Sequence, residues 1–132
     1  MKKILLIDDE ETVRLVVSEM LKRAGYWVQT AVDGKSGLDL FRRYSFDLLI
    51  TDLLMPETDG LETIMALRRQ RKGLKIMVIS GCGLTLGGNY LKIAEHLGAD
   101  CTLAKPFTQA SLLAAVAKLL QTPDHPFAEP VG

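Results

Sequence analysis

Three stretches of this chain are apolar without alternation, and each stops at a polar residue. Lys3 to Ile7 ends in Asp8-Asp9, Leu48-Leu49-Ile50 ends at Thr51-Asp52, and Lys75 to Ile79 ends at Ser80. A strand with one face in water alternates apolar and polar residues. A run that does not alternate has both faces covered. Strands of that kind belong to parallel sheets, whose crossover connections lay helices on both sides. That pattern excludes most other architectures before any single residue is weighed.

The intervening segments supply the helices. Val13, Val16, Val17, Met20 and Leu21 fall at helical spacing, and Gly25 follows as a C-terminal glycine. Tyr26 to Val32 is aromatic, β-branched and alternating, which suits a strand nearer an edge. Asp33-Gly34 turns the chain into a helix carrying Leu38, Phe41 and Tyr44. After Asp52, Pro56 stops an inner strand, and Asp59-Gly60 gives turn chemistry and a helix N-cap. The helix that follows carries Leu61, Ile64, Met65 and Leu67. Its basic end, Arg68, Arg69, Arg71 and Lys72, complements the helix dipole and is expected to be solvated.

Gly81-Cys82-Gly83 and Gly87-Gly88 read as a flexible loop. Tyr90, Ile93, Ala94 and Leu97 then form a helix closed by Gly98, and Asp100 to Ala104 forms a fifth strand. A last helix carries Leu112, Leu113, Val116, Leu119 and Leu120. Gln121 to Gly132 holds three prolines and little to bury, so residues 122–132 are expected to be a disordered tail after one domain over residues 1–121. Five strands alternating with five helices, joined by right-handed crossovers, give an α/β doubly wound parallel sheet. The order 2-1-3-4-5 is the flavodoxin-like arrangement.

With 132 residues, 48% of them hydrophobic, the chain can bury one sizeable core. Lys plus Arg and Asp plus Glu both number 16, for a net charge of zero. That argues against binding nucleic acid directly by neutralising phosphates. Cys82 and Cys101 lack C-x-x-C spacing and read as free thiols of a reducing compartment. Met1-Lys2-Lys3 begins like a secretory leader, but Asp8-Asp9-Glu10-Glu11 cuts the apolar run short. No stretch approaches the roughly 20 apolar residues of a membrane span. The expectation is a cytoplasmic protein without membrane contact. Trp27 and Tyr90 are expected to pack, and neither His96 nor His125 is expected to act as a phosphoacceptor.

In open α/β sheets, ligands gather outside the carboxyl ends of the strands. Asp8-Asp9, Asp52, Ser80 and Lys105 all fall at such ends. Carboxylates brought together there repel and favour a cation. An all-oxygen set with room for water suits Mg²⁺. Asp52 could then attack a phosphoryl group as a nucleophile. Mg²⁺ and the Lys105 ammonium would offset charge on the phosphoryl oxygens, and the Ser80 hydroxyl could donate to another of them.

Asp8-Asp9, Asp52 followed by Met55-Pro56 and Asp59-Gly60, Ser80-Gly81, and Lys105-Pro106-Phe107 together resemble the receiver domain of bacterial response regulators. The resemblance covers about residues 2–121. It implies that Asp52 is the phosphoacceptor, with a histidine kinase or phosphotransfer protein as donor and an unknown downstream protein as output partner. It further implies that Asp8 and Asp9 help hold Mg²⁺, Asp9 directly with Asp52 and the backbone carbonyl of Leu54. Ser80 would be the switch hydroxyl, Lys105 the phosphoryl ligand, and Lys105-Pro106 a cis peptide. With no output domain in the sequence, signalling is expected to run through altered protein–protein binding, not through enzymatic turnover of a substrate.

Two departures from the family pattern stand out. Thr102 occupies a position usually aromatic, and the loop after Ser80 is longer and richer in glycine. The resemblance implies that the residues two after the phosphoacceptor and two after the switch hydroxyl flank the path of a hydrolytic water. Here they are Leu54 and Cys82, neither of which orients a water, so a long-lived phosphorylated state is expected. A metal-dependent phosphohydrolase of the haloacid-dehalogenase type would want a second acid two residues after the nucleophile, where Leu54 stands. A degenerate receiver used only for docking would lack one of the chemical residues, and none is missing.

Overall fold

The computed structural model describes residues 1–52, 60–80 and 98–121. Its strands are β1 (Lys3–Ile7), β2 (Trp27–Ala31), β3 (Leu48–Asp52), β4 (Lys75–Ser80) and β5 (Cys101–Ala104). They form one sheet in the order β2-β1-β3-β4-β5, and every neighbouring pair is parallel. The described helices are α1 (Glu11–Arg23), α2 (Gly34–Arg43), α3 (Gly60–Gln70) and α4 (Gln109–Gln121). The helix expected around Tyr90 to Leu97, the Gly81 to Gly88 loop, the Pro56 and Asp59 turn and the tail at 122–132 lie outside the described residues.

The non-alternating runs are buried on both faces. Alternate residues of a strand point to opposite sides, so Leu5, Ile7, Leu49, Ile76 and Val78 face one core layer, with Ile64 and Leu67 of α3. Ile4, Leu6, Leu48, Ile50, Met77 and Ile79 face the other, with Val17 and Leu21 of α1 and Leu112 and Val116 of α4. At one sheet edge the strands are anchored by loop carboxylates: Lys3 N donates to Asp47 Oδ2 at 2.8 Å and Ile76 N to Asp100 Oδ2 at 2.8 Å. Asp8, Asp52 and Lys105 lie at the opposite edge.

The helix ends follow their sequence signals. Gly25, at φ +101°, takes the left-handed conformation after α1. Gly25 N donates to Lys22 O at 3.0 Å and Tyr26 N to Leu21 O at 3.1 Å, the paired bonds of a Schellman cap. Asp33 caps α2, its carboxylate accepting from Ser36 N at 2.8 Å. That backbone bond holds the Asp33 carboxyl below its ordinary value of 3.8. Asp33→Ala is therefore expected to cost about 1 kcal/mol of stability at neutral pH. Because the native pKa is lowered, the contribution is complete above the ordinary carboxylate range and is lost as pH falls through the native value. Urea unfolding of both proteins at pH 7 and at pH 3 checks this: the difference should be present at the first and reduced at the second.

Several buried faces are rotated from the sequence expectation. Val16 is 47% exposed, whereas Ser18 is buried beside Val17 and Leu21. Ser18 tolerates that place because its hydroxyl donates to Leu15 O at 3.3 Å. On α3, Met65 is 43% exposed and Thr63 is buried instead. Tyr44 is the C-cap of α2, 41% exposed, and its ring meets Trp27 edge-on at 5.3 Å. The basic end of α3 is not simply solvated. Arg68 donates to Gly98 O and Lys72 O and pairs with Asp100, while Arg71 donates to Phe46 O. These guanidinium groups tie the end of α3 to the segments leading into β3 and β5. Among the described residues, no helix is long and apolar enough to cross a membrane.

Candidate functional site

The strand register decides which side chains meet. Ile7 of β1 lies opposite Thr51 of β3, and Ser80 of β4 lies opposite Ala104 of β5. The residues immediately past these pairs, Asp8, Asp52 and Lys105, therefore come to one edge. Asp8 N continues the ladder by donating to Ala31 O at 3.1 Å, which fixes the backbone just beyond β1. Asp8 is 0% exposed and Asp52 6%. The Lys105–Pro106 peptide is cis, as the resemblance implied.

Lys105 Nζ donates to Asp8 Oδ2 and Asp52 Oδ2, each at 3.0 Å, and to Glu10 Oε1 at 3.3 Å. The other Asp8 oxygen accepts from Glu10 N at 2.9 Å, and Arg14 Nη1 donates to the Asp8 carbonyl at 2.8 Å. Asp8, Asp9 and Asp52 each offer a carboxylate oxygen, and these atoms lie within 4.8 Å of one another. Asp9 is exposed while the other two are buried, so the cluster opens to water on one side. An all-carboxylate set with a wet side has the donor chemistry that suits Mg²⁺.

Burial raises the Asp8 carboxyl above its usual range. The Glu10 amide and Lys105 pull it down, and the Asp52 charge pushes it up. For Lys105, burial alone would lower the ammonium. The hydrogen bonds and charges of Asp52 and Asp8 outweigh that and raise it, so it is cationic throughout the physiological range.

Of the residues singled out by sequence, Asp8, Asp9, Asp52 and Lys105 are brought together. Ser80 ends β4 on the same edge, with its side chain outside the described set. Leu54 and Cys82 also lie outside it. Thr102 is half-buried in β5. Sequence reasoning did not single out Glu10 or Arg14. The available signal was an acid directly after Asp8-Asp9 and a cation one helical turn beyond it.

The family model of the response regulator receiver domain matches residues 4–117. The chain belongs to that family, a class of signalling switches in two-component systems. It is 37% identical over 123 residues to the transcriptional regulatory protein CpxR of Escherichia coli, covering 92% of this chain and 50% of CpxR. It is 38% identical over 127 residues to the DNA-binding dual master transcriptional regulator RpaA of Synechocystis, covering 95% of this chain and 52% of RpaA. The chain thus spans about half the length of these curated relatives.

Among solved structures, Vibrio cholerae chemotaxis protein CheY4 superposes with TM-score 0.83 at 32% identity, covering 90% of this chain and 98% of CheY4. The Thermotoga maritima response regulator TrrA, solved in complex with Mg²⁺-BeF, superposes with TM-score 0.74 at 32% identity, covering 90% of this chain and 99% of TrrA.

Proposed function

We propose that residues 1–121 are a phospho-accepting switch in which Asp52 is the phosphoacceptor. The observation that carries this reading is the Lys105 ammonium held 3.0 Å from both Asp8 and Asp52 at the carboxyl edge of the sheet. An Asp52 oxygen forms the new O–P bond while the bond from phosphorus to the donor breaks. The leaving group, an imidazole nitrogen of a histidine kinase or phosphotransfer protein, departs with the electron pair. Lys105 lies where it can neutralise charge on the phosphoryl oxygens, and Ser80, at the adjacent strand end, is assigned the hydroxyl that donates to another of them.

Asp8, Asp9 and Asp52 are the residues that would hold Mg²⁺, with the Leu54 carbonyl completing the protein's share. When bound, the ion supplies Lewis-acid stabilisation of the phosphoryl oxygens worth several kcal/mol. The chain catalyses only its own phosphorylation and slow dephosphorylation. Its output is a changed surface read by another protein, without direct contact between this domain and nucleic acid.

Incubation with acetyl phosphate tests the metal requirement. Intact mass should show one phosphoryl adduct in Mg²⁺, with uptake reduced on the order of 10²-fold or more in excess EDTA. Uptake at the full rate in EDTA would remove the metal from the account.

A further inference from the structure

An ammonium has three N–H bonds to give, and three carboxylates take those of Lys105. Asp8 and Asp52 accept at 3.0 Å and Glu10 at 3.3 Å. Asp8 and Asp52 are buried, whereas the Glu10 side chain is 62% exposed. Glu10 is also the N-cap of α1, in an extended conformation, yet its side chain makes no capping bond. Capping there is the work of the shorter Ser, Thr, Asp and Asn side chains, and the longer Glu10 side chain is not bound to the first-turn amides. Here the Glu10 carboxylate reaches across to Lys105 instead.

We propose that Glu10 is a positioning residue that occupies the third N–H of Lys105 until a phosphoryl oxygen displaces it. The inference rests on the reading of Asp52 as phosphoacceptor. When the O–P bond forms at Asp52 and the donor's leaving group departs with its electron pair, phosphoryl oxygens arrive beside Lys105. All of the lysine's donors are already engaged, so one must be released. Giving up Asp8 would leave a buried charge uncompensated. Giving up Glu10 returns an exposed carboxylate to water, which costs little. Glu10 is therefore the partner that yields, and its contact opposes phosphoryl uptake in the resting state.

The test measures the rate of phosphoryl uptake from acetyl phosphate in Mg²⁺, by intact mass. It compares the unmodified chain with Glu10→Gln, Glu10→Asp and Glu11→Gln. Glu10→Asp keeps the charge but is one methylene too short to hold the contact. Glu11 is exposed in the first turn of α1 and, among the described residues, is not a partner of Lys105.

Both Glu10 variants should take up the phosphoryl group roughly two- to fivefold faster, the range an exposed ion pair supplies, with Glu11→Gln unchanged. A rise in Glu10→Gln and Glu11→Gln without one in Glu10→Asp would show a general effect of negative charge and overturn the inference. Unchanged or slower uptake in the Glu10 variants would also overturn it. If the unmodified chain itself takes up no phosphoryl group, the reading of Asp52 fails, and this inference with it.

Discussion

Asp52→Asn is expected to take up no phosphoryl group from acetyl phosphate in Mg²⁺, a loss to background in an intact-mass assay. The substitution keeps the shape of the side chain and removes its nucleophilic oxygen. A carboxamide does not form a stable O–P bond, so the effect is all-or-none. The neighbouring acids do not compensate. Asp8 is fully buried, with its oxygens engaged by Lys105 and the Glu10 amide. Asp9 is exposed and is not one of the lysine's ion-pair partners among the described residues. The variant should remain folded, because the carboxamide oxygen can still accept from Lys105 and Asp8 stays as the lysine's buried ionic partner. A folded Asp52→Asn protein with an undiminished adduct would assign the chemistry to another residue.

The largest stability effect is expected at Phe46. Its ring is 1% exposed and among the largest fully buried side chains. It stacks on Trp27 at 6.0 Å and on Phe41 at 6.2 Å, and meets Tyr44 edge-on at 6.3 Å. Its carbonyl accepts from Arg71. Phe46→Ala removes the ring from the centre of this cluster and is expected to cost about 3–5 kcal/mol. Trp27 fluorescence would change through the lost contact alone, so urea unfolding followed by circular dichroism is the proper measure. A loss below about 1 kcal/mol would mean that the surrounding rings collapse into the space.

The site itself is not built for stability. The Asp8 carboxyl is raised chiefly by burial. A group with a raised native pKa contributes most below its ordinary value of 3.8, and that contribution is lost as pH rises through the native value. The raised Asp8 carboxyl therefore adds less to stability at neutral pH than it does in acid. Proteins commonly retain such a cost where a site needs it.

Much of this architecture was legible in the sequence. The β1, β3 and β4 runs showed no alternation because both faces are covered, and that forced a parallel sheet. The flavodoxin-like order expected for such a sheet, with the most apolar runs inside, is the observed strand order. Once the strand ends were placed, Asp8, Asp9, Asp52 and Lys105 had to lie near one another. What escaped was side-chain reach. A helical stripe read from spacing includes positions at its margins, so Val16 and Met65 were expected inside, while Ser18 and Thr63 took the buried places. The bonds of Arg68 and Arg71 depend on where the end of α3 meets distant carbonyls, which charge pattern alone does not reveal. The Glu10 contact was hidden for the same reason: it spans from residue 10 to residue 105.

The most direct test of the central claim is chemical mapping of the modified residue. An aspartyl phosphate is an acyl phosphate, and borohydride reduces it to the alcohol, converting the aspartate to homoserine. After treatment with acetyl phosphate and Mg²⁺, reduction and peptide mass mapping should find homoserine at residue 52. Homoserine at residue 8 or 9, or a reduction-resistant phosphate on Ser80, would contradict the account.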